Sequence, residues 1–458
     1  MGVRLDWDIE SDQSGKKNAR EDPEVVRTRR RTQFRFLLLI LFVVSLITGA
    51  LALLQWQLNR VDQQLENRLR DAIEAEVAAL RIGDWNAFNA LQRSASPDWQ
   101  MQQRAYFDTY QTIKVTNDVN LAGTVRDIEI DSQRARVVVE EVINGVPYSQ
   151  VWFYWRYEDG WRHVPPDYTF WGELSQYQGR LVTVNYRAVD EKLALDIGVS
   201  IEGWIDSTCG AILECGDLPH INLSIQPQDG ATKPEWDAAN IWQLNVPSPY
   251  VVRARSDRPF SGTLLMDTAS VIAARLVSEA TLNFSTPTYP RDAYYLYPAI
   301  ANWLTGLFAQ VNTNSHLIMS LAENYGRLQV GALAQQMQAD SQADVFLAVT
   351  GAASLDAANL DWRDFLTWRL QAENELRARG DLDAYLTLYT PEAVEIARQR
   401  FGSAPAQAGV GVVILAEKGQ AIDGVAQISA TVRYGEDDSA PTERVLFRLS
   451  GETWKRAN

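Results

Sequence analysis

The fold is decided by the stretch 75-AEVAALRIGDWNAFNALQRSASPDWQMQQRAYF-107, because a later stretch of the chain repeats its plan. That later stretch is 372-AENELRARGDLDAYLTLYTPEAVEIARQRF-401. Each predicts a helix, a Gly-Asp pair, a second helix with aromatic residues, and a third helix. The glycines of the two pairs, Gly83 and Gly380, are 297 residues apart. A whole pattern repeated at a nearly constant offset is hard to obtain by chance, so we predict an internal structural repeat.

Segments with a period of two follow each helical stretch and predict antiparallel strands. The first set covers residues 120–164 and the second covers residues 410–457. Trp161 closes the first set and Trp454 closes the second, each followed by a basic residue. Helices followed by an antiparallel sheet make an α+β layer. We therefore predict an α+β protein.

The order helix, Gly-Asp, helix, helix and curved sheet ending in Asp-Gly-Trp-Arg resembles the NTF2-like (SnoaL-like) fold. The resemblance implies two cone-shaped domains in tandem, at residues 57–172 and 362–458. That fold hosts isomerases, dehydratases, transport adaptors and binding domains, so the resemblance leaves the function open. Isomerases of the family use an Asp base with a Tyr or Asp donor in the cone. No residue here can be matched to those, and no catalytic residue is expected.

The strand 149-SQVWFYWRYEDGW-161 is aromatic on both faces, with Trp152 and Tyr154 on one of them. One face must pack on the helices. The other lines the mouth of the cone or an interface with the neighbouring domain. We therefore single out Trp152, Tyr154, Trp161 and Trp454 as ligand or interface aromatics. Burial at an interface and stacking on a sugar or lipid head group both remain open.

Residues 36–54 contain no charged side chain and are long enough, as a helix, to cross a bilayer of about 30 Å. We predict a transmembrane helix at residues 34–56 that contacts the lipid bilayer and continues into the first domain. The alternative is a signal peptide cleaved near Ala50. Bacterial single-pass membrane proteins have a similar layout.

Basic residues crowd the N-terminal side of this apolar segment and set its expected orientation. They place residues 1–33, interpreted as a disordered tail, in the cytoplasm. Residues from about 57 onward are then extracytoplasmic, and the protein is expected in the plasma membrane. The residues that carry this topology prediction are Arg27, Arg29, Arg30, Arg31 and Arg35.

The middle region, residues 173–361, predicts a few strands followed by helices. This order resembles the peptidase MA-like (gluzincin) proteins, whose first zinc helix carries His-Glu-x-x-His. The corresponding helix here, residues 264–284, contains no histidine. In the second helix, residues 293–310, Thr305 stands where the family has a glutamate. We predict a degenerate, non-catalytic domain without metal; an ordinary helical packing unit is the alternative.

Two cysteines, Cys209 and Cys215, flank a short segment that contains a glycine. Outside the cytoplasm thiols tend to oxidise, so we expect a disulfide between them. Two free thiols or a metal site are the alternatives. The chain has only three histidines, which makes a metal site a poor interpretation.

The net charge of −15 makes nucleic-acid binding improbable, because phosphate backbones are repelled. No motif for a nucleotide, a nucleophilic serine or a catalytic metal occurs, and no cofactor is expected. We therefore expect a membrane-anchored scaffold or ligand-sensing protein that is not an enzyme, with a protein or small molecule as its partner. The alternatives are an isomerase or hydrolase that uses a cone pocket, and a signal transducer that acts through the cytoplasmic tail.

Overall fold

The computed structural model gives a mixed α+β protein. The backbone is described at residues 23–228, 232–281, 287–403, 411–421, 423–435, 437 and 439–458, and the side chains of residues 23–33 and 35 are left out. Most of the expected disordered tail, residues 1–22, therefore lies outside the described residues, as do the side chains of the topology arginines.

Helix α1, Pro23–Ile82, is 60 residues long and unbroken. It begins eleven residues before the predicted transmembrane segment, since no helix breaker follows Pro23, and proline is well tolerated in the first turn. Residues 36–54 of this helix are apolar and solvent-exposed. Within the described part of the chain, α1 is the one helix long and apolar enough to cross a membrane.

The last part of α1 opens the first repeat, which contains two more helices and four strands. Leu69, Ile73 and Leu80 of α1 are fully buried in its core. The chain turns at Gly83, whose φ of +86° favours glycine. The sheet is antiparallel in the order β1-β2-β3-β4. The further elements are α2 Trp85–Ala90, α3 Pro97–Thr116, β1 Val119–Asp131, β2 Arg134–Ile143, β3 Val146–Tyr157 and β4 Gly160–Val164.

The middle region has a mixed sheet of order β5-β6-β7-β9-β8, with parallel pairing of β6, β7 and β9. Helices follow this sheet, as the sequence predicts. The elements are β5 Leu174–Gln178, β6 Val182–Arg187, α4 Glu191–Thr208, β7 Ile221–Gln226, β8 Glu235–Trp236, β9 Gln243–Pro247, β10 Ala254–Arg255, α5 Gly262–Ala280, α6 Asp292–Ala309, α7 His316–Tyr325, α8 Arg327–Gln336 and α9 Val345–Thr350.

The second repeat has the same order of elements and ends in an antiparallel sheet, β11-β12-β13-β14. Its first helix ends at Gly380, whose φ is +74°. In both repeats the aspartate after the glycine caps the next helix, at Ala87 N and Ala384 N. The elements are α10 Arg363–Arg379, α11 Leu382–Leu386, α12 Val394–Phe401, β11 Gly411–Gln420, β12 Ala426–Tyr434, β13 Thr442–Ser450 and β14 Thr453–Arg456.

The three regions are not packed as three separate cores. Strand β10 leaves the middle region and pairs with β3 of the first repeat. Buried residues of the middle region and of the second repeat form one continuous hydrophobic core. Phe346 of α9 meets Trp362 of the second repeat in this core, with ring centroids 5.6 Å apart, and Trp362 in turn meets Trp454 at 6.0 Å. The second repeat is therefore joined to the middle region through apolar packing.

Candidate functional site

A buried carboxylate organises the interior of the first repeat. Glu76 of α1 is fully buried and accepts hydrogen bonds from Tyr154 Oη at 2.7 Å and Gln92 Nε2 at 2.8 Å. Nδ1 of His163 lies 2.7 Å from the same carboxylate. Burial raises the pKa of Tyr154 well above its usual value, and the Glu76 charge adds to this. These side chains come from α1, β3, β4 and the turn after α2, so tertiary packing brings them together.

His163 also lies in the wall of an open cleft of about 220 Å³. Its ring is packed among three others, with centroids 5.1 Å from Tyr154, 5.3 Å from Trp152 and 5.5 Å from Trp99. The cleft lies between α3, β3, β4 and residues 251–252. The buried network thus reaches the surface of a cavity through one imidazole.

Two buried residues of the cleft wall carry polar atoms without a partner in the described part of the chain. They are Trp99, at Nε1, and Gln103, at Oε1. They are 6% and 8% exposed and lie one turn apart on α3. A buried polar atom left unsatisfied costs about 1–3 kcal/mol. Native proteins seldom retain two such atoms side by side unless something else satisfies them.

A second set of polar groups stands beside the cleft. The Tyr106 hydroxyl lies 3.1 Å from the Gln150 amide, and both residues line the cavity. Glu141 of β2 is buried and forms an ion pair with Arg253. Burial raises the pKa of Glu141, and the Arg253 charge partly offsets this effect. Burial likewise raises the pKa of Tyr106, with a further contribution from Glu141. Tyr106 is therefore a neutral hydrogen-bonding group at neutral pH.

The two repeats agree in strand register as well as in order. Tyr154 pairs with His163 across β3 and β4, and Phe447 pairs with Arg456 across β13 and β14. In each repeat an isolated bridge ties the last strand to the turn after the second helix. These bridges are Gln92–His163 and Tyr389–Arg456. The predicted internal repeat is therefore present in the structure, down to individual backbone pairs.

The repeats differ in the chemistry at the buried carboxylate. Glu373 stands where the first repeat has Glu76, and Arg456 stands where it has His163. Glu373 accepts from Arg456 Nη1 at 2.7 Å and from Tyr389 Oη at 2.9 Å. A guanidinium stays charged in proteins. The second repeat therefore holds a guanidinium–carboxylate ion pair where the first repeat places an imidazole beside the carboxylate.

The aromatic residues singled out from the sequence are all buried. Trp152, Tyr154 and Trp161 lie in the core of the first repeat, and Trp152 also lines the cleft. Trp454 lies in the core that the middle region shares with the second repeat. Trp152 is thus the one of these four that faces both the core and the cavity wall described above.

Sequence reasoning did not single out Glu76, His163, Trp99 or Gln103 as a group. The sequence did contain a signal for two of these residues, Glu76 and His163. Glu76 and Glu373 each stand seven positions before a Gly-Asp pair. His163 and Arg456 each stand two positions after the closing tryptophan. The repeat therefore marks an acid and a base at matching positions.

In the middle region, the residues compared with a zinc site are engaged in structural contacts. Thr305 is buried, and its hydroxyl donates to the Ala301 carbonyl at 2.8 Å. Nδ1 of His316 lies 3.3 Å from Arg363 Nη2. Across the described residues there is no group of three or more His, Cys, Asp or Glu side chains that could hold a metal ion.

The predicted disulfide is confirmed. Cys209 and Cys215 are bonded, with Cα atoms 5.3 Å apart, and close the loop after α4. This loop packs tightly on α8. A Cβ atom at Gly331 would lie 1.7 Å from the Ile212 carbonyl oxygen, so glycine is required for the contact.

Asp190 is a fully buried carboxyl group at the junction of the first repeat and the middle region. It accepts from Trp171 Nε1 at 2.8 Å and from Ser248 Oγ at 2.5 Å. Burial raises its pKa to about 6, although both hydrogen bonds lower it. At neutral pH the folded protein therefore holds an ionised carboxylate in a fully buried position.

We expect Asp190→Asn to increase the free energy of unfolding at pH 7. The folded pKa of about 6 exceeds the unfolded value of 3.8. Charging this group in the fold therefore costs up to about 3 kcal/mol, and the cost disappears as pH falls from 6 towards 4. Urea unfolding at several pH values should show the advantage of the variant at pH 7 shrinking over this window. An advantage that does not change with pH would contradict the assignment.

Comparison of the chain with protein-family models, curated proteins and solved structures found no match, and its function is therefore inferred from the geometry above.

Proposed function

We propose that this protein is a single-pass membrane protein whose extracytoplasmic part binds a small ligand in the cleft of the first repeat. The observation that carries the proposal is the pair of unpartnered buried atoms, on Trp99 and Gln103, in the wall of an open cavity. Ligand pockets are concave, mostly apolar, and carry a few placed polar groups. This cleft has each of these properties.

The membrane topology is part of the same proposal. The apolar segment of α1 crosses the plasma membrane, and the arginines before it keep the N-terminus in the cytoplasm. The Cys209–Cys215 disulfide supports an oxidising location for the rest of the chain. The ligand therefore comes from outside the cytoplasm.

We further propose that each repeat is an NTF2-like cone and that the middle region is a degenerate peptidase MA-like domain. Supporting the first point, each repeat places three helices before a four-stranded antiparallel sheet. The first cone is the ligand site. The second holds Glu373 and Arg456 as a buried ion pair and serves as a scaffold against the middle region.

A sensing role is favoured because one helix connects the cleft to the membrane. Glu76, which holds the cleft residue His163, lies on the same helix that crosses the bilayer. A ligand that shifts His163 therefore acts on a side chain of the transmembrane helix itself. No flexible linker interrupts this connection between residues 23 and 82.

The protein is proposed to be non-catalytic, but one observation favours a second candidate. A carboxylate that orients an imidazole in a cavity wall is the arrangement of a general acid–base pair. Glu76 and His163 have this geometry, at 2.7 Å. In that case the cone would act as an isomerase or hydrolase, and bound ligand would be converted to product, which chromatography of the recovered ligand detects.

We expect a small-molecule screen to find compounds that stabilise the detergent-solubilised full-length protein and fail to stabilise Gln103→Leu. A ligand at 100 times its dissociation constant adds about 2.7 kcal/mol, which thermal unfolding detects. The matched control is Gln100→Leu, at an exposed position on the same helix. The compounds should stabilise this variant as much as they stabilise wild type. Compounds that stabilise wild type and Gln103→Leu equally would place the binding site elsewhere.

A further inference from the structure

We infer that the cleft of the first repeat takes an uncharged, planar ring that carries an amide or an equivalent donor–acceptor pair. This inference rests on the proposed function, since it assigns the ligand class of the same site. It is drawn from the charge of the lining, its aromatic residues, the volume of the cleft and the unpartnered atoms.

The lining of the cleft contains no Asp, Glu, Lys or Arg side chain among the described residues. Its polar members are glutamines, Tyr106, His163 and the indoles. Two acids, Glu76 and Glu141, are buried just behind the walls, and Arg253 balances the second of them. An anion would lose its hydration without a cation to receive it, which disfavours carboxylates and phosphates. An ammonium ion would gain no direct carboxylate partner.

Much of the lining is aromatic. Trp99, Trp152, Tyr106 and His163 all belong to it. Aromatic rings pack best against other flat groups in offset or edge-to-face arrangements. With a volume of about 220 Å³, the cleft is also smaller than the pockets of about 300–1,000 Å³ that hold drug-sized ligands. These features favour one planar ring with a short substituent.

The unpartnered atoms determine the substituent. Trp99 Nε1 is a donor and Gln103 Oε1 is an acceptor, and they stand four residues apart on α3. Four residues of helix rise about 6 Å, so these two side chains, which both belong to the cleft lining, lie about one turn apart along α3. An amide presents an oxygen for the first and an N–H for the second. Neither a carboxylate nor an ammonium ion satisfies both.

The test compares three probes of one shape and different charge: benzamide, benzoate and benzylammonium. Binding to the detergent-solubilised full-length protein is measured at pH 7 by titration with ligand-observed NMR. We expect benzamide to bind saturably, with an affinity at least tenfold higher than that of either ion. Gln103→Leu and Trp99→Phe should each weaken benzamide at least threefold, while Gln100→Leu leaves it unchanged.

The variants are chosen so that loss of binding is not loss of folding. Leucine at position 103 removes an acceptor that has no partner, which is neutral or stabilising for the fold. Phenylalanine at position 99 keeps the ring and removes the N–H. Thermal unfolding of each variant shows directly whether it is as stable as wild type.

The outcomes separate the ligand class from the proposed function. If benzoate or benzylammonium binds as tightly as benzamide, and Gln103→Leu still weakens the binding of that ion, then the inferred ligand class is wrong. The cleft would still be the binding site. If benzamide does not bind saturably, the inferred ligand class is also wrong. If benzamide binds equally well to wild type, Gln103→Leu and Trp99→Phe, both the class and the site are overturned.

Discussion

Replacing Asp292 by alanine should lower the free energy of unfolding by about 3–5 kcal/mol, the typical effect of removing one partner of a buried ion pair. Asp292 is 1% exposed and pairs with Arg369, which is 4% exposed. Its other oxygen accepts from Ala343 N at 2.9 Å and from Thr453 Oγ1. The variant leaves the Arg369 charge buried without a counter-ion where the middle region meets the second repeat.

Glu417→Ala provides the matched control for this experiment. Glu417 pairs with Arg444 in the second repeat, but both side chains are more than half exposed. Exposed pairs contribute about 0–1 kcal/mol, so this variant should unfold close to wild type. Urea unfolding of both variants measures the difference. Equal effects of the two substitutions would show that the Asp292 network does not hold these regions together.

Replacing Glu76 by leucine should be the most damaging single change in the first repeat. It leaves Tyr154, Gln92 and the His163 Nδ1 without their common partner. Each buried polar group left unsatisfied costs about 1–3 kcal/mol, so a loss of roughly 3 kcal/mol or more is expected. Ligand affinity in the cleft should fall at least tenfold, because His163 loses the contact that orients its ring.

Two further variants of α1 make this result specific. Glu76→Gln keeps hydrogen-bonding atoms in place and should lie much closer to wild type in stability. Glu74→Leu changes an exposed glutamate on the same helix and should affect neither stability nor binding. Urea unfolding gives the stabilities, and titration with the best compound from the screen gives the affinities. A Glu76→Leu protein with wild-type stability would contradict the network.

The sequence predicted the large features of this fold because those features are local. The Gly-Asp turns, the strand period and the apolar segment of α1 are each visible within a few tens of residues. The pairing of β10 with β3 was not predictable in this way. It involves two residues of the middle region, Ala254 and Arg255, which are too few to show a period. The sheet of the first repeat therefore receives a short strand from the middle region.

The candidate site was harder to predict because its chemistry depends on long-range packing. Glu76 and His163 are 87 residues apart in the chain, and each alone is an ordinary residue. The unpaired state of Trp99 and Gln103 is a property of burial, which no spacing reveals. The raised pKa of Asp190 has the same origin, since desolvation is its largest cause.

Under the proposed topology, the continuity of α1 sets the distance between the cleft and the bilayer. From Trp56, near the expected interface, to Glu76 the helix rises about 30 Å, at 1.5 Å for each residue. A flexible linker would allow the cleft to approach the lipid surface. A continuous helix instead keeps the cleft at a distance from that surface. Under that topology, the proposed ligand is a solute of the aqueous layer and not a molecule dissolved in the membrane.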